Sequence, residues 1–149
     1  IPSLGYVLGD EGSGTYLGKQ LLRHYFYREL PKPLEILFVR EYQLDKSQVI
    51  EQVYKQTGAN RYLASFTSFL SKHIAHPFIR SLVKKSFDEF LERHVLKYKQ
   101  ASSYPIHFVG SIAHHFKPIL AACAAEKNLQ IGKIIQQPIN ELVYYYGDY

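Results

Sequence analysis

The sequence predicts a helix-rich α/β domain, with a helical block over about residues 13–100 and then a βαβα unit over about 104–147. Three observations predict it. Apolar residues recur at helical spacing through the first two thirds of the chain. After Ser102-Ser103 the texture changes to a short apolar run that ends sharply at Gly110-Ser111. A second such run, 129–135, follows one helical segment later, and strand, glycine turn, helix, strand, helix is the order of a parallel unit.

Taken in order, Leu4–Leu8 is short and apolar and is expected to end a strand that feeds the turn Gly9-Asp10-Glu11-Gly12-Ser13-Gly14. A helix should follow from Ser13 to Arg28, with Tyr16, Leu17, Leu21, Leu22, Tyr25 and Phe26 inward, and stop before Pro31 and Pro33. Leu34–Tyr42 fits a buried strand through Ile36-Leu37-Phe38-Val39 or a helix face through Leu34, Leu37, Phe38 and Tyr42, and the helix is preferred. Asp45-Lys46-Ser47-Gln48 reads as an N-terminal cap, with Gly58 as the stop of that helix. The next helix starts near Asn60 and turns Leu63, Phe66, Phe69 and Leu70 inward. Pro77 suits the first position of a long helix reaching about Lys99, with Phe78, Leu82, Phe87, Phe90, Leu91 and Val95 on a broad stripe. Tyr104–Val109 reads as a buried strand. Ile112, Phe116, Ile119, Leu120 and Cys123 line a helix ending near Asn128. Leu129–Ile135 is the second strand, and Pro138 opens a last helix through Tyr146 that the Tyr144-Tyr145-Tyr146 run helps to pack.

Composition narrows the function classes. A chain of 149 residues is one domain by length, and its 46% hydrophobic content can supply a core. No apolar run approaches the ~18 residues of a membrane span. The formal charge of +5 is modest and scattered, with no basic stripe among stacking aromatics, which argues against nucleic acid as a partner. The excess would help attract an anionic ligand such as a nucleotide. One cysteine, Cys123, excludes an internal disulfide and fits a reducing compartment, so a cytoplasmic location is expected. No signal peptide opens the chain, and the absence of methionine means position 1 is not a translation start, so a processed product or a piece of a longer protein is expected.

The turn at residues 9–14 carries two readings. Asp10 or Ser13 can cap the helix that follows. Alternatively, a carboxylate pinned at that helix start could accept hydrogen bonds from a polyol or lie near a metal–phosphate group. The histidines carry less. His73 and His76 have no third ligand in view, and His114 and His115, being adjacent, face different ways on a helix, so core or solvated roles are expected. His94, Arg61 and Lys133 suggest nothing beyond ordinary positions.

Three separated stretches line up with one family. Leu8-Gly9-Asp10-Glu11-Gly12-Ser13-Gly14 resembles the Gly-Asp-Glu-Gly-Ser signature of the N-acetylglucosamine kinases, which the related ATPases that activate acyl-CoA dehydratases share. Phe108-Val109-Gly110-Ser111-Ile112-Ala113 resembles that family's adenosine motif, and Pro138-Ile139-Asn140-Glu141-Leu142-Val143 its final segment. Ser111 stands for the second glycine of the commoner form, and Glu141 stands where a small glycine is usual. The resemblance implies the actin-like ATPase fold, two ribonuclease H-like domains around an ATP cleft, of which this chain would be most of the C-terminal one. The N-terminal phosphate loop, the catalytic base and the second phosphate motif would lie in a missing N-terminal domain. By the same resemblance Asp10 and Glu11 are substrate-binding, with Asp10 on the sugar hydroxyls and Glu11 turned to the backbone or the metal–phosphate region. Gly110, Ser111 and Ile112 would contact the nucleotide, and Ala64 the adenine. The cofactors implied are ATP and Mg2+, the partners a small sugar and the missing domain, and no catalytic residue or metal ligand falls in this chain.

Two other function classes compete. A dehydratase-activating ATPase would hold an iron–sulfur cluster on interface cysteines, whereas Cys123 lies on an apolar helix face. A non-enzymatic helical interaction domain would use the wide stripe from Phe78 to Tyr98, although a wide stripe usually means core. The surface left by a missing half would favour self-association, so a homodimer is among the expected partners.

Overall fold

A computed structural model describes residues 2–137. Helices α1 (Gly5–Leu8), α2 (Gly14–Phe26), α3 (Lys32–Tyr42), α4 (Lys46–Tyr54), α5 (Ala59–Ser65), α6 (Thr67–Lys72) and α7 (Pro77–Phe90) come first. A π-helical turn, Leu91–Val95, continues α7, and then come β1 (Ile106–Val109), α8 (Ser111–His115), α9 (Lys117–Glu126) and β2 (Ile131–Ile135). The helix-rich α/β class is as expected. The segment expected to form a final helix from Pro138, and with it Glu141 and the tyrosine run, lies outside the described residues.

Side-chain caps open α2, α4 and α7. The Ser13 hydroxyl accepts from the Tyr16 amide at 3.1 Å to open α2. Asp45 accepts from Ser47 and Gln48 at 2.9 and 3.2 Å to open α4. His76 Nδ1 accepts from Phe78 at 3.2 Å and so opens α7, a structural role for a histidine otherwise without one. Residues 34–42 are helical, with Pro33 in the first turn, where its missing N–H costs nothing.

The core is a continuous cluster between these helices. Leu17 and Leu21 of α2, Phe38 of α3, Phe69 and Leu70 of α6, and Ile79 and Val83 of α7 are fully buried. The Phe38 ring sits 4.7 Å from Tyr25, 4.8 Å from Tyr42 and 5.1 Å from Phe69, tilted or edge-on. Helices α2 and α5 approach so closely that a Cβ on Gly18 would lie 1.8 Å from the Leu63 carbonyl oxygen. On the far side, Leu120 and Cys123 of α9 pack into the same core. Lys127 bridges to Asp88 at 2.8 Å and Lys84 to Glu126 at 2.7 Å, fastening α9 to α7, while Lys84 also meets Asp88 within α7 at 2.9 Å.

Several expectations need correction. Leu4–Leu8 is a single helical turn, closed by the Gly9 amide on the Gly5 carbonyl at 2.9 Å. Leu4, Val7 and Leu8 stay exposed, and a strand there would have no described partner to pair with. Gly58 does not stop α4, which ends at Tyr54; in the left-handed region (φ 83°) it starts α5 instead. The helix from Asn60 breaks at Phe66, and the one from Ile112 breaks at Phe116. In the second case Pro118 lies in the first turn of α9, and proline cannot donate the bond that would continue α8. The long helix from Pro77 does not run regularly to Lys99 but widens at Leu91, where the Leu96 amide reaches back to the Leu91 carbonyl at 2.8 Å.

Strands β1 and β2 pair in parallel, in the register Ile106 with Ile131, Phe108 with Ile134 and Val109 with Ile135. With α8 and α9 as the crossover, the parallel unit expected from the sequence is present through β2. The expected burial of β1 is not: its residues alternate half-buried and exposed, and Val109 is 59% exposed. Among the described residues this sheet has two strands, too few to cover both faces.

Candidate functional site

The first element of the site is the loop between α1 and α2. Asp10 takes a left-handed backbone (φ 72°), unusual for a residue with a side chain, and Gly12 takes one at φ 80°. Local bonds fix this shape. The Ser13 hydroxyl donates to Asp10 Oδ2 at 2.7 Å, and the Ser13 amide donates to the Asp10 carbonyl at 3.1 Å. The Gly12 amide donates to the buried Ser86 hydroxyl of α7 at 3.1 Å. Asp10 Oδ1 has no protein donor among the described residues, and the carboxylate borders a cleft of about 770 Å³.

Glu11 turns the other way. Its side chain is buried, and Arg93 Nη1 donates to Oε1 at 2.7 Å while His94 Nε2 stands 3.3 Å from Oε2. Burial alone would push this carboxyl up. The bond from its own backbone amide, the His94 contact and the Arg93 and His94 charges outweigh it and hold the group below the ordinary carboxylate value. Arg93 also meets Glu89 at 3.2 Å, and Glu89 accepts from the Tyr16 hydroxyl at 2.9 Å. Burial and that bond push Tyr16 up to about 12.

The second element is the turn after β1. Gly110 (φ 135°, ψ 157°) has a backbone essentially restricted to glycine, and a Cβ built there meets nothing within 4 Å. Its amide donates to the Ile135 carbonyl at 2.8 Å, which ties the turn to β2. Gly110, Ser111 and Ile112 line the same cleft as Asp10, Glu11 and Ser13, so the fold brings the two predicted stretches together. Phe90, Phe108 and Val95 supply much of the apolar wall between them. Ala64 lies outside this cleft. It borders a neighbouring one of about 410 Å³ with Thr67, Ile112 and His115, so Ile112 is shared by both. Gly14 permits that junction, because a Cβ there would stand 3.3 Å from Ala64 Cβ and 3.4 Å from Ile112 Cδ1.

Sequence reading missed Ser86, Arg93 and His94. The signal available for Arg93 and His94 was a charged pair next to an otherwise apolar stripe, with Glu89 one helical turn before Arg93. Ser86 gave no signal beyond a small polar residue on that stripe. Cys123 is fully buried, as its helix face predicted, and burial pushes its thiol up to about 11. His73 packs on Phe69 with ring centroids 4.4 Å apart.

No protein-family model and no curated protein sequence matches the chain. Among solved structures, it is similar to the "Putative N-acetylglucosamine Kinase" of Porphyromonas gingivalis, at 38% identity and a TM-score of 0.92. The likeness covers 99% of this chain and 52% of that protein, so the chain spans about half its length. The resemblance to the N-acetylglucosamine kinases holds. Identity at that level extends the likeness beyond the three motifs to the helical block between them. Among the described residues no helix is long and apolar enough to cross a membrane.

Proposed function

We propose that this chain is the C-terminal part of an ATP-dependent sugar kinase acting on N-acetylglucosamine, providing sugar and nucleotide contacts but not the catalytic base. The observation that carries the reading is the shared cleft. It joins Asp10, whose Oδ1 has no donor among the described residues, to a bare glycine turn, Gly110–Ile112, from much later in the chain. Support comes also from the kinase likeness, which covers about half of the related protein and so leaves room for a second domain. On this reading the βαβ unit is part of a ribonuclease H-like sheet whose remaining strands the rest of the protein supplies.

Asp10 suits a sugar because an ionised carboxylate only accepts, and a sugar presents hydroxyl donors. Ser13 orients Oδ2, which leaves Oδ1 for the ligand. Around Gly110 the open space and absent side chain fit close approach of a nucleotide's ribose and phosphate to the backbone. Ala64 and Ile112, at the smaller cleft, would flank the base. ATP with Mg2+, when bound, supplies the phosphoryl group and the countercharge for its transfer. The proton of the sugar hydroxyl goes to a base in the missing domain. A cytoplasmic setting suits both the ATP supply and a protein with one buried thiol. Burial of Cys123 also favours the kinase over a cluster-holding activator.

Calorimetry on the full-length protein tests this. The protein should bind N-acetylglucosamine and ATP, and Asp10→Asn should weaken the sugar by about ten- to a hundredfold, the loss of a charge-assisted hydrogen bond, with ATP unchanged. Unaltered sugar affinity in the variant, or no sugar binding by the folded wild type, would overturn it.

A further inference from the structure

We infer that Arg93 and His94 are positioning residues for sugar binding, acting through the buried carboxylate of Glu11 to hold Asp10 in its left-handed conformation. The inference rests on the sugar-kinase reading above and gives Glu11 a different role within it, as the anchor of the loop.

The loop needs an anchor. A left-handed backbone is unfavourable for a residue with a side chain such as Asp10, and such a conformation persists only where its surroundings over-determine it. Three ties are on hand. Ser13 holds Asp10 within the loop, Ser86 holds the Gly12 amide, and Arg93 and His94 hold Glu11 between them. Only the last two connect the loop to the rest of the molecule. Glu11 is the immediate neighbour of Asp10, so holding its carboxylate in place limits how far the peptide between them can turn.

The π-helical turn explains how two adjacent residues serve one carboxylate. On a regular helix, neighbours point about 100° apart. Widening at Leu91–Val95 reduces that divergence, and Arg93 and His94 reach different oxygens of the same group. π-Turns inside helices often mark functional positions. Arg93 is itself aimed by Glu89, which Tyr16 of α2 supports in turn. The chain of contacts therefore runs from α2 through α7 and back to the loop that starts α2. His94 is further steadied by the Phe90 ring, 5.4 Å away.

The test compares sugar and nucleotide affinity in the full-length protein for Arg93→Met, Arg93→Lys and His94→Gln, each alone and with Asp10→Asn. Arg93→Met keeps the stem and removes the charge. It should raise the Kd for N-acetylglucosamine by about ten- to a hundredfold, the scale of a small misplacement of a binding group, while the Kd for ATP stays the same. Arg93→Lys should restore most of the loss. In the Asp10→Asn background Arg93→Met should add little, since it acts through Asp10. A merely structural role predicts instead that both ligands weaken together and that the loss persists without Asp10, and either result would overturn the inference. Amide hydrogen exchange at Gly12 and Ser13 gives a readout without ligand. It should quicken in Arg93→Met, and unchanged protection there would sink the clamp by itself. Should the wild type bind no sugar, the kinase reading falls, and the exchange rates alone decide whether Arg93 holds the loop.

Discussion

The loop at residues 9–14 and the turn at Gly110 face each other across one cleft, yet they are held in different ways. The loop is fixed by side chains: Ser13 on Asp10, Ser86 on the Gly12 amide, and Arg93 and His94 on Glu11. The turn is fixed by backbone, through the Gly110 amide on Ile135 and the Val109–Ile135 pairing, and α8 has no side-chain cap. On the loop side, binding geometry therefore depends on particular residues dispersed over α2, α7 and the π-turn. On the turn side it depends on the sheet register and on there being no side chain in the way. A polar ligand that must be met by a directed carboxylate suits the first, and a ligand gripped by close approach to bare backbone suits the second.

The largest effect should come from removing the support that positions α2, the helix that the loop opens. A Cβ at Gly18 would lie 1.8 Å from the carbonyl oxygen of Leu63, a backbone atom that cannot rotate aside. Gly18→Ala must push α2 off α5 and should cost about 3 kcal/mol, and it strains the Thr15–Asn60 bond beside it. Denaturant unfolding reads this directly. A midpoint equal to the wild type would show that α2 and α5 are not so closely packed.

Gly110→Ala should cost less, and for another reason. The space beside it is open, so no clash arises, but φ 135° with ψ 157° strains any residue with a side chain by about 2 kcal/mol. If the comparison between the half-sites is right, this variant weakens ATP and spares the sugar, the reverse of Asp10→Asn. Equal weakening of both ligands would mean that the two elements are not separable.

How much of this was legible in the sequence follows the same divide. Short-range chemistry was readable: the Ser13 and Asp45 caps, the helices of the block, the glycine turn after β1 and the buried Cys123 all follow from neighbours in the chain. Both stretches that line the cleft were found because each carries its signature within a few residues. The partners that fix the loop were not found, because Ser86, Arg93 and His94 act over long range and look ordinary in place. The π-turn that aims two of them leaves no periodicity to detect. Leu4–Leu8 and β1 failed for a different reason. Their apolar runs imply burial, but burial needs covering strands, and the described residues supply one neighbour to β1 and none to the other.

The smallest effect is a pH dependence that separates the two supports. Glu11 anchors the loop, and Asp88, between Lys84 and Lys127, fastens α9 beneath the turn. Burial pushes both carboxyls up, but their partners outweigh it and hold both below their ordinary values. A carboxyl with a lowered folded-state pKa binds its proton more readily in the unfolded chain. Each therefore adds stability that is fully present above the ordinary carboxylate value and is lost as pH falls through the lowered one. Between about pH 6 and pH 3 the unfolding free energy should decline, and both Glu11→Gln and Asp88→Asn should flatten that decline. Only Glu11→Gln should also weaken the sugar at neutral pH, because Asp88 supports a helix and not the loop. Sugar binding equally sensitive to both substitutions would show that the loop is held by the fold at large, and the contrast between side-chain and backbone support would then be lost.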